Sequence, residues 1–260
     1  MRSSIPVVLL AGGLGTRMRE ETEYKPKPMV EVGGHPVIWH IMKNLSAFSL
    51  KKFIVCTGYK GHIIKEYFLN YLALSHDFEV KLNQNERIKI FDQLESEDWS
   101  VIVTDTGEST MTGGRVNRVR KYIGDDTFIV TYGDGLANVD IEKLLEFHKS
   151  HGKVATVTTV RPMSRFGVMD LDAAGSVIKF REKPQVDDWI NIGFFVFEAK
   201  IFDYLNDDCV LEQEPLVTLA RDNQLMAFRH DGFWQPMDTY RESLLLNKLW
   251  EKQEAPWKNW

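Results

Sequence analysis

"VVLLAGGLGTRMREETEYKPKPMVEVGG", residues 7–34, sets the reading of the whole chain. A short continuous apolar run, Val7 to Leu10, passes through Ala11 into glycines at positions 12, 13 and 15. An uninterrupted apolar run bounded by turn residues predicts a central strand covered on both faces, the kind found in parallel α/β sheets. The glycines then predict a loop of exposed amide N–H groups at the strand's carboxyl end, where such sheets bind ligands. Pro26 and Pro28 cannot sit inside a helix, so no helix is expected to start directly after the glycines.

The common owners of such loops do not fit. A dinucleotide fingerprint needs GxGxxG, and the frame beginning at Gly13 reaches Met18 where its third glycine belongs. A Walker loop needs GxxxxGK followed by Ser or Thr, and no such run occurs. What remains is an anion nest formed by Leu10, Ala11, Gly12, Gly13, Gly15 and Thr16. Arg17 adds a planar fork for phosphate oxygens, and Lys27, fixed between two prolines, adds a point charge. The competing reading is an ordinary surface loop rich in glycine and charge.

Outward from this loop, strand-like and helix-like segments alternate. "KKFIVCTGY", "WSVIVTDTG", "FIVTYGDG" and "KVATVTTVRP" read as strands, separated by helical patterns such as "PVIWHIMKNLSAF" and "GHIIKEYFLNYLA". The segment "DIEKLLEFHKSHG" is a helix N-capped by Asp140 and closed by Gly152. Residues 1–160 therefore fit a doubly wound α/β sheet. Beyond residue 160 come a two-stranded turn around Ala174-Gly175, further strands that extend the sheet and cover the site, and a closing helix, "TYRESLLLNKLWEK". No linker, low-complexity tract or hexapeptide repeat divides the 260 residues, so a single domain over 1–260 is expected.

Composition narrows the classes. The chain is 43% hydrophobic and 27% charged, with a formal net charge of −5, which disfavours a nucleic-acid binder. No apolar stretch approaches the roughly 20 residues that span a bilayer, and no signal peptide is evident, so no membrane association and a cytoplasmic location are expected. Cys56 and Cys209 lack a nearby partner cysteine and read as buried thiols. The seven histidines show no metal-ligand spacing.

The run "LAGGLGTRM…KPKPM" resembles the signature of the sugar-1-phosphate nucleotidyltransferases. "GYKGHIIKEYF", "TDTGESTMTGGR", "TYGDGLANVDI", "FREKP", "GFWQPMDT" and "LWEKQEAPWKNW" extend the resemblance over nearly the whole chain, toward that family's cytidylyl branch. It implies a Rossmann-like doubly wound mixed sheet, the nucleotide-diphospho-sugar transferase fold, with a small β-rich extension. Residues 1–160 would bind nucleotide; residues 161–260 would bind sugar and carry the oligomer contacts. The implied reaction joins CTP and α-D-glucose 1-phosphate into CDP-glucose and pyrophosphate with Mg2+, for dideoxyhexoses of bacterial surface polysaccharides. The alternatives are another sugar 1-phosphate or nucleoside triphosphate, or a silent nucleotide-sugar-binding subunit. The family's homo-oligomers imply a trimer or hexamer.

The resemblance also weights residues that local sequence leaves ambiguous. Asp134, between Gly133 and Gly135, reads locally as a turn; the resemblance makes it a metal ligand, with Gly133 in the nucleotide site. Asp238 either caps the final helix or supplies the second metal-binding carboxylate, as the family implies. Glu182 and Lys183 read as a solvated pair before Pro184; the resemblance gives them sugar hydroxyls and sugar phosphate. Thr110 and Arg115 lie ahead of a helix and, by resemblance, near the base and ribose. Asn191 matches the family's sugar-contacting strand, whereas Ile192 stands where that family carries glycine. Ile192 thus faces either the core or the sugar. The C-terminal "PWKNW" is aromatic enough to dock on a neighbouring subunit.

Overall fold

The computed structural model describes residues 5–82, 88–91, 97–164 and 166–260; the side chains of Arg17, Arg19 and Glu20 also lie outside the description. Its centre is a seven-stranded sheet of β1 (Val7–Leu10), β2 (Lys52–Thr57), β3 (Ser100–Asp105), β4 (Phe128–Tyr132), β5 (Ala155–Val160), β6 (Ile190–Phe197) and β7 (Leu225–Arg229). The spatial order is β7-β5-β6-β4-β1-β2-β3. β1 pairs in parallel with β2 and β4, and β2 with β3. β6 runs antiparallel to both β4 and β5, so the sheet is mixed.

The pleat of β1 explains its unbroken apolar sequence. Val7 and Leu9 join the core on one face and Val8 and Leu10 the core on the other, as the period of two requires. Helix α1 (Val37–Ser46) buries Val37, Ile41 and Leu45 on the first face. Helix α2 (Thr112–Arg118) sends Val116 into the second. Helix α3 (Ile141–His151) starts where Asp140 accepts the Lys143 amide and ends at Gly152 with φ +62°, as its sequence predicts.

Three local expectations change. Residues Thr16–Met18 and Arg19–Thr22 form two short helical turns after the glycine loop, ending well before the prolines. The helical pattern over 61–73 is interrupted: Gly61–Leu69 and Tyr71–Ser75 are separate helices meeting at Asn70. The C-terminal aromatics pack on their own chain. Trp257 is fully buried, its indole N–H donates to His40 Nδ1 at 3.4 Å, and Asn44 donates to the Trp257 carbonyl at 2.6 Å.

Beyond the sheet, Val168–Leu171 and Val177–Arg181 form an antiparallel ribbon joined at the turn read from sequence. A smaller ribbon pairs Gly135–Ala137 with Trp234–Pro236. The last helix, α4 (Tyr240–Glu251), follows it directly. Among the described residues no helix is long and apolar enough to cross a membrane.

Candidate active site

Strand order reverses between β1 and β4, because β2 and β3 lie on one side and β6, β5 and β7 on the other. A crevice must open at the carboxyl ends of such a pair, since their connections leave in opposite directions. The structure has a cavity of about 600 Å3 there, lined by Leu10 and the residues after β1 to Gly13, and by Tyr132 and the following Asp134. The Gly133 amide donates to the Leu10 carbonyl at 3.0 Å and carries the pairing one step past the strand ends.

The glycine loop forms one wall. Among the described residues, the N–H groups of Gly12, Gly13, Leu14 and Gly15 have no protein acceptor. The loop is braced from behind instead: the Thr22 hydroxyl donates to the Gly15 carbonyl at 3.0 Å, and Met18 N to the same oxygen at 3.0 Å. Gly15 needs to be glycine twice over, having φ +62° and Thr22 Cγ2 2.7 Å from where a Cβ would sit. Thr16 lines the cavity; the side chain of Arg17 lies outside the described residues.

The small ribbon explains how two distant carboxylates meet. Gly135 is paired with Pro236, and Met237 N donates to the Asp134 carbonyl at 2.8 Å. Asp134 therefore enters one strand of the ribbon beside Asp238, which leaves the other. Lys27 closes the group: its ammonium lies 2.6 Å from Asp134 Oδ2 and 2.6 Å from Asp238 Oδ1. The turn Lys27–Met29, entered from extended Pro26, places this lysine inward, while Lys25 stays outside and pairs with Glu31. Burial alone would depress the Lys27 ammonium. The charge of Asp134 and hydrogen bonds to both carboxylates outweigh that and hold its pKa above the ordinary value.

Asp238 is not the cap of the final helix. Thr239 takes that position with a capping box: its side chain accepts the Glu242 amide, and Glu242 accepts the Thr239 amide at 2.8 Å. Glu242 also accepts the Asp238 amide at 2.8 Å, which fixes the backbone and leaves the Asp238 carboxylate aimed at Lys27.

Arg115 lies in the cavity wall and directs its guanidinium to protein partners. Nη1 donates to the Thr57 carbonyl and the Thr106 hydroxyl at 3.0 and 2.7 Å. Nη2 donates to the carbonyls of Gly12 and Glu108 at 3.0 and 3.2 Å. The four terminal N–H groups are thus committed to the ends of β1, β2 and β3. Burial lowers its pKa. Thr110 also lines the cavity and accepts from Arg118 at 2.8 Å.

The far wall comes from β6. Asn191 Oδ1 accepts the Gly193 amide at 2.7 Å, where Gly193 turns at φ +80°. The Tyr132 ring fills the space beside Gly193: an added Cβ would lie 2.0 Å from it. Ile192 is 5% exposed within the core and is also part of the cavity lining. Glu182 and Lys183 do not line the cavity. They lie at the end of the larger ribbon, exposed and 3.5 Å apart, with Lys183 at φ +46°.

Sequence reasoning passed over a second network. The Tyr132 hydroxyl donates to Glu212, whose other oxygen accepts from Thr112 at 2.7 Å. Burial and then the Glu212 charge raise the Tyr132 pKa. Tyr132 was findable as the last strand residue before "GDG". Glu212 carries no local signal, because only the fold brings it to Thr112 and Tyr132.

Comparison with known proteins agrees with this geometry. Residues 6–235 match the family model described as nucleotidyl transferase. Glucose-1-phosphate cytidylyltransferase of Salmonella typhi is 52% identical over 97% of this chain and 98% of its own length. The mannose-1-phosphate guanylyltransferase catalytic subunit beta of Dictyostelium discoideum is 32% identical over 95% of this chain and 66% of its own. The crystal structure of HddC from Yersinia pseudotuberculosis complexed with GMP-PN superposes with a TM-score of 0.68 at 24% identity, covering 95% of this chain and 99% of that one. Its likeness lies in the fold, a mixed α/β architecture with a central, mostly parallel sheet. With the glycine loop, the crevice and the family match in agreement, the chain belongs to the nucleotidyl transferase family.

Proposed function

We propose that the chain transfers a cytidylyl group from CTP to α-D-glucose 1-phosphate, giving CDP-glucose and pyrophosphate. The observation that carries the chemistry is the convergence of Lys27, Asp134 and Asp238 in a cavity that the glycine loop also lines. The choice of cytosine and glucose rests on the 52% identical Salmonella relative, against the guanylyl and mannosyl names found at 32%.

The incoming phosphate oxygen is already anionic, so its attack on the α-phosphorus needs no general base. One P–O bond forms as the bond to the bridging oxygen of the departing pyrophosphate breaks. The obstacle is repulsion between two polyanions, and positioning with cationic stabilisation removes most of it. The Gly12–Thr16 amides and Arg17 are assigned to the triphosphate, and Lys27 to charge on the departing group. Arg115 holds the loops that carry those amides. Asn191 and Ile192 are assigned to the sugar, Glu182 to sugar hydroxyls, and Lys183 to the sugar phosphate as it arrives from solvent.

The donor set fits a magnesium ion: two carboxylates already converge on one cation, and among the described residues no third acidic, histidine or cysteine ligand joins them. Mg2+ is commonly held by one or two carboxylates with phosphate oxygens and water completing the shell. Asp134 and Asp238 would hold it, and when bound it would neutralise charge on the phosphate oxygens. We treat residues 1–260 as one catalytic unit, because β6 and β7 come from beyond residue 160 and complete the sheet.

The test is pyrophosphate release from each of four nucleoside triphosphates with a panel of sugar 1-phosphates. The expected maximum is CTP with glucose 1-phosphate. CTP binding without turnover on any sugar phosphate would favour a silent binding subunit instead.

A further inference from the structure

Lys27 occupies the point between the two carboxylates assigned above to a divalent cation. Its ammonium is 2.6 Å from each, its side chain is only 10% exposed, and its backbone is held in a turn between Pro26 and Pro28. The two hydrogen bonds are charge-assisted and partly shielded from water, which makes them strong for their kind. Among the described residues, the ion pairs at this point set one ammonium against two carboxylates. A divalent cation entering alone would displace the ammonium from both bonds or sit beside it, and like charges at that spacing repel strongly.

A triphosphate changes this balance. Its oxygens offer the Lys27 ammonium new anionic partners a short swing away, and they offer the cation the ligands that two carboxylates cannot provide. Because the lysine backbone is fixed, the exchange needs only rotations of the flexible four-carbon stem.

We propose that Lys27 is a tethered cation that holds the Asp134–Asp238 site closed to divalent metal until nucleotide arrives, so that metal and nucleoside triphosphate bind cooperatively and metal alone binds poorly. The same side chain then passes from the carboxylates to the phosphates. This inference rests on the assignment of Asp134 and Asp238 as metal ligands, and its test separates the two.

The experiment measures Mn2+ binding by electron paramagnetic resonance, with and without α,β-methylene-CTP. Nucleotide-free wild type should bind Mn2+ weakly, and the analogue should tighten binding sharply. Nucleotide-free Lys27→Met should bind Mn2+ about ten- to a hundredfold more tightly than nucleotide-free wild type, the range to which one charge-assisted hydrogen bond converts. Equal affinities for nucleotide-free wild type and Lys27→Met overturn the inference. Asp134→Asn with the analogue tests the underlying assignment: Mn2+ binding as tight as in wild type removes Asp134 from the metal site altogether. If Lys27→Met does not fold, NMR of the wild-type lysine ammonium carries the test. Its signal should move with Mg2+ and the analogue together, and movement with micromolar Mg2+ alone overturns the inference.

Discussion

Arg115 and Gly12 are in contact: Nη2 donates to the Gly12 carbonyl at 3.0 Å, and a Cβ built on Gly12 would fall 2.0 Å from Nη1. Gly12 is therefore glycine because the guanidinium lies against it, and the guanidinium is where it is because three strand ends need a common donor. Gly13 has nothing within 4 Å of its would-be Cβ and faces open space. Two adjacent glycines thus have different reasons to be glycine.

Replacing Arg115 with lysine leaves several buried carbonyl oxygens short of a donor, because a single ammonium cannot reach all the fork's partners. The expected loss is about 3 kcal/mol in urea unfolding, with a raised KM for CTP. Gly13→Ala should keep wild-type stability yet weaken CTP binding, since its methyl enters only the loop's open side. A loss below about 1 kcal/mol for Arg115→Lys, with unchanged KM, would show that the strand ends hold themselves.

Ile192 forms both core and cavity wall, so trimming it should alter stability and selectivity together. Ile192→Val is expected to cost about 1 kcal/mol, as buried methyl deletions of this kind do. The same variant should turn over bulkier sugar 1-phosphates better relative to glucose 1-phosphate. A stability loss with an unchanged sugar profile would assign Ile192 to the core alone.

His40 couples the C-terminal tail to pH. It is fully buried, its Nε2 bonds the Val32 carbonyl at 2.8 Å, and its Nδ1 accepts from Trp257. This pattern requires the neutral ring, and burial pushes its pKa from 6.5 down to about 4. A folded-state pKa below the unfolded one means stability present above pH 6.5 and lost as pH falls toward 4. The gap corresponds to about 3 kcal/mol at the acid end. Urea midpoints at pH 7.5 and 4.5 should differ less in His40→Gln than in wild type. An identical difference in both proteins would remove His40 from the acid response.

The sequence carried the sheet and much of the site because those signals are local. The apolar run of β1, the Asp140 cap and Gly152, and the proline-fixed Lys27 each express a backbone requirement that neighbouring residues reveal. What it did not carry depends on partners far along the chain. The Asp238 carboxylate is aimed at Lys27 only because Thr239 and Glu242 take the capping role. The antiparallel placement of β6 reflects sheet pairing, on which its own apolar pattern is silent. Trp257 reads as a docking residue from sequence, and its docking site turns out to be His40 and Asn44 of the same chain.

The role proposed for Asp134, Asp238 and Lys27 is that of the reacting centre of cytidylyl transfer. It is tested most directly by pyrophosphate release from CTP and glucose 1-phosphate, comparing wild type with Asp238→Asn across a Mg2+ titration. Thr239 keeps the helix cap in the variant, so the fold should survive. The expected loss is about a thousandfold in kcat/KM at limiting Mg2+, the scale of removing one charge-stabilising group, with partial recovery at high Mg2+. Wild-type turnover by Asp238→Asn at limiting Mg2+ would contradict it.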